Sequence, residues 1–555
     1  MMLAAVASWL VALPVQPGAP GFQPSPSASP TPLPFGAGVF GYSFLLSTLV
    51  WVPVIGAIGV ALLPSPRRRN DRYLQLIAFW INMFLLGLAV IAYSQFQLFS
   101  SGPQYEERVP WLPPFGISYH LGTDGIATTL LLMSQLVGVI AVVASSGVRE
   151  RVREYYVLLL LVQCAVNGFI AAQDAFILVL FWGASVVPVA LLVGGWGGPR
   201  RAAASWRLVG YWSLGTFFLL AGVLVMYGGA GGAGFDFSVL TKASFSPRVQ
   251  VVAGGLLVLA ACTRLPLLPF HGWARDFYAE APVGVSVLVA GVATRLGGFL
   301  LLRLLVAGLH DGARLLGPFI AFLAVATVVY AAAAALRGVD VRVRGAYLAL
   351  VPGGVTMLAI SALTPLSLVG GVLSLWSGGL AAALIVGACV VISERAQSRN
   401  LEALAGLAPR MPRLSWLFVL ACLALLGLPG LASFPAEAMT FFGSFRTQPA
   451  GAAGLVAGLV LAGIAVAWLL SRILFGPSQQ GGPSVSDAAL HEVWFLGLLA
   501  GALLWVGLVP SGPKLAGVPL FLDPGIVNVM NASIGDLAAP YAGGSSTGAT
   551  AGTSP

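Results

Sequence analysis

The chain has 555 residues, of which 58% are hydrophobic and only 8% charged, with a mean hydropathy of +0.92. A soluble domain carries about a quarter charged residues, so this composition excludes one and indicates an all-α polytopic membrane protein held in a lipid bilayer. The net charge of +9 then speaks to topology, and no nucleic-acid partner is expected from it.

Residues 1–14 are apolar but too short to span, and they lack the basic start of a signal peptide. The Pro/Ser-rich stretch Pro17 to Pro34 is expected to be extended or disordered. Hydropathy then predicts fourteen spans, at about 41–63, 73–98, 124–147, 155–172, 175–196, 205–228, 250–271, 282–308, 315–336, 343–363, 366–393, 412–445, 449–474 and 488–509. After a mixed stretch from Leu515, the tail from Gly543 is expected to be disordered.

Arginine placement tests the count. If the chain alternates sides, 19 of the 28 Lys and Arg residues fall at the loops and span ends of one side, and Arg108, Lys242, Arg248, Arg314, Arg446 and Lys514 on the other. The positive-inside rule puts the arginine-rich side in the cytoplasm of a bacterial-type inner membrane and both termini outside. The four cysteines, Cys164, Cys262, Cys389 and Cys422, stand singly in apolar runs, so no metal or iron–sulfur site is expected on them.

The most informative stretch is TRLPLLPFHGWARDFYAEAPVGVSVLVAGVATRLGGFLLLR, Thr263 to Arg303. Pro266 and Pro269 interrupt an apolar helix just after Arg264, and a second apolar helix carries Arg295 in its middle. Proline removes a donor and clashes with the preceding turn, so the helix must break inside hydrophobic surroundings. Broken helices beside intramembrane charge mark ion paths. A second break falls at LGLPGLASFPAE, Leu426 to Glu437, with Pro429 163 residues after Pro266. Five spans separate the two breaks, which makes the second copy inverted: two inverted five-helix repeats, each with one broken helix. The expected organisation is 1–40 as an irregular start, 41–150 as helices 1–3, 151–310 as the first repeat, 311–475 as the second, and 476–555 as helix 14 with a flexible tail.

The central stretch resembles the antiporter-like membrane subunits of respiratory complex I and their relatives in multi-subunit cation antiporters and membrane-bound hydrogenases. Their text reads K-x-P-x-x-P-x-H-x-W-L-P-D-A-H-x-x-A-P-T-x-x-S, then L-A-G-x-x-x-K. In register here are Arg264, Pro266, Pro269, His271, Trp273, Asp276, Ala281, Pro282, Ser286, Ala290, Gly291 and Arg295. Val109 to Ile126, Trp196 to Arg201 and Leu426 to Phe445 extend the likeness, the last with Glu437 where M-type subunits carry an acid.

The resemblance implies a line of titratable groups for protons, and this chain departs from it. The glutamate of F-W-E-x-x-x-x-P is replaced by Gly183 in FWGASVVP. The two lysines are Arg264 and Arg295, and the two histidines are Pro352 and Gly378. Glu437 alone is unchanged, with His271 as a further family position at the first break. Glycine and proline cannot titrate, and arginine is a fixed cation rather than a proton carrier. The expectation is an M-type subunit taking part in the redox-coupled proton translocation of an NADH:quinone oxidoreductase, with a degenerate proton path that is weak or silent as a pump and with Glu437 and Arg295 as counter-charges. Alternatives are a cation/proton antiporter, a membrane-bound hydrogenase, an inorganic-carbon uptake complex or a structural scaffold. No cofactor is expected on this chain, since no Rossmann glycine pattern or cysteine cluster is present. The resemblance places NADH, FMN, iron–sulfur clusters and quinone on partner subunits, and neighbouring antiporter-like subunits beside this chain.

Three further expectations concern loops. Asp276 and Glu280 read as a surface cluster with Arg275 in a cytoplasmic turn, Arg207 and Arg303 as side chains reaching to the membrane surface, and Asp124 as a helix cap.

Overall fold

A computed structural model describes residues 44–63, 72–98, 102–476, 486–509, 514–515, 518–519 and 525–542. The expectations for residues 1–40 and for the tail from Gly543 lie outside the described residues.

The chain begins with α1 (Leu45–Leu62) and α2 (Arg72–Ser94), followed by an antiparallel hairpin, β1 (Gln104–Leu112) and β2 (Ile117–Thr123). Then come α3 (Gly125–Ala144), α4 (Val152–Ala171), α5 (Ala175–Ala184), α6 (Val186–Trp196), α7 (Arg201–Gly229), the short α8 (Phe237–Leu240), α9 (Pro247–Arg264) and α10 (Gly272–Glu280). Span eight is α11 (Val283–Leu288) and α12 (Leu296–Leu300), each followed by a π-helical turn. The second half holds α13 (His310–Arg337), α14 (Val341–Leu348), α15 (Val351–Ala362), α16 (Pro365–Arg395), α17 (Pro412–Leu425), α18 (Ser433–Ser444), α19 (Pro449–Phe475), α20 (Leu490–Leu508) and α21 (Ile526–Ala542).

Helix starts follow their caps. Asp124 accepts from the Ala127 amide at the head of α3, and Asp174 accepts from Phe176 and Ile177 at the head of α5. Thr364 and Ser367 form a reciprocal capping box on α16, with Pro365 in the first turn.

Among the described residues, twelve helical segments are long and apolar enough to cross a membrane. The two expected spans missing from that set are the two broken ones, and the breaks are why. Span seven ends as a helix at Arg264 and resumes at Gly272; span twelve ends at Leu425 and resumes at Ser433.

Span eight and α16 are buried along their whole apolar windows, whereas α1, α2, α7 and α19 are buried over only a third. An apolar helix with no polar face belongs either in a core or in lipid. These outer helices accordingly expose Trp80, Phe84, Phe217, Val460 and Ile464, a surface suited to acyl chains. Glycine permits the close approaches inside: a Cβ on Gly215 of α7 would overlap Thr263 of α9, and one on Gly370 of α16 would stand 2.8 Å from the Thr440 amide of α18.

Candidate functional site: charges at the broken helices

The first break is held open by specific partners. Pro266 and Pro269 have no amide to donate, so carbonyls of the last turn of α9 are left over. The indole Nε1 of Trp273, one turn into the next segment, donates to the Thr263 carbonyl at 2.8 Å. Leu267 donates to the Cys262 carbonyl at 3.0 Å, and the Leu268 amide donates to Thr327 Oγ1 at 3.0 Å. At the second break, Gly427 and Gly430 take left-handed conformations (φ +59° and +99°), and the Ala432 amide donates to the Leu503 carbonyl of α20 at 3.0 Å.

Arg264 stands at the end of α9 with its side chain fully buried. Its Nη2 donates to the Trp182 carbonyl at 2.5 Å and to Ser185 Oγ at 2.7 Å. The guanidinium lies over the rings of Trp212 and Trp182, 3.7 and 4.5 Å from their centroids. Gly183 follows Trp182 in the chain, and a Cβ there would meet only Thr216 Cγ2, at 3.3 Å.

Arg295 is 2% exposed and sits in the irregular turn of span eight, between one π-helical segment and α12. Such turns free backbone groups and are enriched at functional positions. The stem of Arg295 runs past α16: a Cβ on Gly379 would stand 3.2 Å from Arg295 Cγ and would overlap the Gly291 carbonyl. One residue earlier, Gly378 faces α15, where a Cβ would stand 2.6 Å from Pro352 Cβ. Gly353 in turn packs on the Leu265 carbonyl, and Gly297 on Arg264 Cβ. The structure thus brings Trp182–Gly183, Arg264, Arg295, Gly378 and Pro352 into one chain of contacts.

Glu437 and His271 stand apart from that cluster. Glu437 is on α18, with its carboxylate against Gly427 at the second break, where any Cβ would overlap it. Helix α18 packs on the start of α16 at Gly370, eight residues and about 12 Å along the helix from Gly378. Among the described residues, no ion pair within 4 Å joins Glu437 to Arg295 or Arg264. His271 lies beyond the first break, its ring 4.6 Å from that of Tyr330 and its Nδ1 without a partner.

Several loop expectations are corrected. Asp276 and Glu280 lie on helix α10 rather than in a turn, and neither pairs with Arg275. Asp276 takes Arg207, and the buried Glu280 takes Arg399 at 2.8 Å and the Arg200 amide at 3.2 Å. Arg303 does not reach for the surface: it meets Asp124, the cap of α3, at 2.9 Å, both side chains being largely buried.

One constellation escaped the sequence reading. His120 on β2 joins Asp236 through Nδ1 at 2.6 Å and Glu106 on β1 through Nε2 at 2.7 Å, with Arg108 3.4 Å from Asp236. Burial pushes the Asp236 carboxyl up, but hydrogen bonds from His120 and Ser238 outweigh it and hold its pKa at about 2. His120 experiences the converse: burial lowers it, and the two carboxylates bring it above its usual value. These groups line a cavity of about 500 Å³ together with Asp124, Arg303, Lys242 and Asp536. His120 and Asp236 are 116 residues apart; the segment around Asp236 pairs with Gln173–Ala175, and the Gln173 amide in turn donates to the His120 carbonyl.

The family described as NADH:quinone oxidoreductase/Mrp antiporter, TM, matches residues 172–464. A relative named NAD(P)H-quinone oxidoreductase chain 4 1, from Synechococcus sp. (strain JA-2-3B'a(2-13)), is 32% identical over 79% of this chain and 83% of its own. The fold is shared with a chain of respiratory complex I from Thermus thermophilus (TM-score 0.77, 23% identity, 89% of this chain and 99% of that one). It is shared equally with a chain of the Mrp complex from Dietzia sp. DQ12-45-1b (TM-score 0.77, 20% identity, 90% and 98%). A match over more than half the length, with breaks, buried cations and glycine contacts in the matched region, makes this chain a member of the NADH:quinone oxidoreductase/Mrp antiporter family of membrane subunits.

Proposed function

We propose that the chain is an M-type antiporter-like subunit in the membrane arm of an NADH:quinone oxidoreductase, and that its own proton line is interrupted. The assembly's NADH, FMN, iron–sulfur and quinone chemistry then belongs to partner subunits, and neighbouring antiporter-like subunits flank this one. The identity to a NAD(P)H-quinone oxidoreductase chain favours that assembly over a cation antiporter, since the likeness in fold is the same for both. Counting each broken helix as one crossing gives fourteen spans, two inverted five-helix repeats and both termini on the outer side, a topology supported by the arginine asymmetry.

The observation that carries the interrupted line is the contact of Pro352 with Gly378. Two neighbouring places that carry histidines in the resembled subunits are taken here by a ring packed on a bare backbone, neither of which can titrate, and the nearby hydroxyls of Thr356 and Ser374 are bonded to each other and to the Pro352 carbonyl. Arg264 and Arg295 on either side hold their protons at any physiological pH. The remaining roles are then a fixed electrostatic structure and a place in the arm.

The test is proton flux. The purified subunit in proteoliposomes under an imposed pH gradient is expected to leak no faster than empty vesicles. With Gly183→Glu, Arg264→Lys and Arg295→Lys introduced together the assembly should still translocate no more protons per NADH oxidised, because the Pro352–Gly378 contact remains. Proton conduction by the native subunit that Glu437→Gln abolishes would overturn the reading.

A further inference from the structure

We infer that the pocket around Arg264 is a binding site for a small monovalent anion of the halide class. The inference does not depend on whether the subunit pumps.

The site is unusual in its hydrogen-bond balance. Arg264 uses Nη2 on the Trp182 carbonyl and Ser185 Oγ, but its Nε and Nη1 have no partner among the described residues. The two indoles that sandwich the guanidinium are in the same state: Trp182 Nε1 and Trp212 Nε1 are buried and unpartnered. Four nitrogen atoms on three stacked side chains therefore offer N–H donors, while the two nearby acceptors are already taken. No carboxylate lies within ion-pair distance of Arg264 among the described residues.

Three candidates could satisfy such a pocket. Neutralising the arginine is closed off, because guanidinium does not give up its proton in a protein. Water can accept from two of the donors, but its own two O–H groups then need acceptors, and it leaves the charge uncompensated in apolar surroundings. A halide accepts N–H bonds from every side, offers no donor of its own and supplies the missing charge. There is room for it. The carbonyl that takes Nη2 belongs to the peptide leading into Gly183, and a Cβ on Gly183 would meet a single atom within 4 Å. The guanidinium that carries two of the free donors is hydrogen-bonded to the carbonyl just before that position.

The test uses the purified full chain in detergent, melted in sodium bromide and in sodium gluconate at equal ionic strength. Gluconate is far larger than a halide and serves as the control anion. The melting temperature should rise with the logarithm of bromide concentration in bromide alone, as linkage requires of a ligand bound only by the folded state. Crystals grown in bromide should show an anomalous peak within hydrogen-bond distance of Arg264 Nε or Nη1. Gly183→Glu places a carboxylate beside the guanidinium and should abolish both the bromide-dependent shift and the peak, while the chain stays folded. Arg264→Gln should do the same if it folds. Equal melting curves in bromide and gluconate, an empty pocket in the anomalous map, or an undiminished shift in Gly183→Glu would each overturn the assignment.

Discussion

Pro352 and Gly378 are a fitted pair: a side chain of any kind on Gly378 of α16 would have its Cβ 2.6 Å from Pro352 Cβ on α15. That separation is far below van der Waals contact, so the absence of a side chain at one position is tied to the Cβ at the other. In this backbone any residue with a Cβ at 352 leaves room only for glycine at 378. Pro352 also lies in the first turn of α15, where its missing amide breaks no helical bond.

Gly378→Ala should accordingly destabilise the chain by about 1–3 kcal/mol, the usual cost of overpacking a tight core. Pro352→Gly removes the obstructing Cβ, so the double variant should lie above the sum of the two single losses. Thermal melts of the four proteins in a double-mutant cycle measure the coupling, which is expected to be about 1 kcal/mol or more for groups in direct contact. Additive losses would show that α15 and α16 can separate freely there, and the closed line would lose its support.

Trp273 gives a second test, on the break itself. Its indole N–H is the partner of the Thr263 carbonyl. Trp273→Phe keeps an aromatic ring in a fully buried position but leaves that carbonyl unpaired. The expected loss is about 1–3 kcal/mol, the cost of a buried polar group without a partner. Hydrogen exchange should quicken at the end of α9 and in the Leu265–Phe270 turn, and remain unchanged in α2, which packs on α1, α3 and α4.

How much of this the residues announced can be judged from the same places. Pro266, Pro269 and Pro429 located both helix breaks, because a missing amide acts locally and needs no tertiary knowledge. Trp273 was legible as a motif position, but its work as a donor to the break depends on a turn whose path no pattern encodes. The hairpin went unread because its strands hide in a loop with proline and glycine, and its His120–Asp236 contact spans 116 residues. Arg295 read as the middle of a regular helix; the π-helical turns around it arise from packing, to which hydropathy is blind. Arg303 read as a surface-seeking side chain because its partner Asp124 lies 179 residues earlier in sequence.

Gly427 offers a third measurement. It holds a left-handed conformation at φ +59°, and a Cβ there would overlap the Glu437 carboxylate. Gly427→Ala therefore meets two penalties. The backbone term alone is about 1–2 kcal/mol for an L-residue in that region. The second should vanish when Glu437→Ala is also present, so the cost of Gly427→Ala in that background should fall toward the backbone term. An equal cost in both backgrounds would mean that Glu437 turns away from the break without resistance, and that Gly427 does not set its position.

The His120 clamp predicts a pH dependence on the hairpin side. His120 is tied to Asp236 and Glu106, with Arg108 on Asp236, and faces Asp124, Arg303, Lys242 and Asp536 across the cavity. Its folded pKa lies above the usual 6.5, so its contribution is whole below about 6.5 and is lost as pH rises through the folded value. Asp236 acts in the opposite sense: held at about 2 against a usual 3.8, it contributes fully above 3.8 and loses that contribution as pH falls toward 2. The hairpin should therefore be most firmly docked between about pH 4 and 6.5 and loosen on either side. Hydrogen exchange of the β1–β2 amides, corrected for intrinsic rates, should show protection falling above that window. In His120→Gln a neutral side chain can donate to only one carboxylate. Protection should drop by about tenfold, the equivalent of one charge-assisted hydrogen bond, and its decline above pH 6.5 should disappear. A decline that survives the substitution would assign the pH response to other groups in the cavity and remove His120 as the clamp.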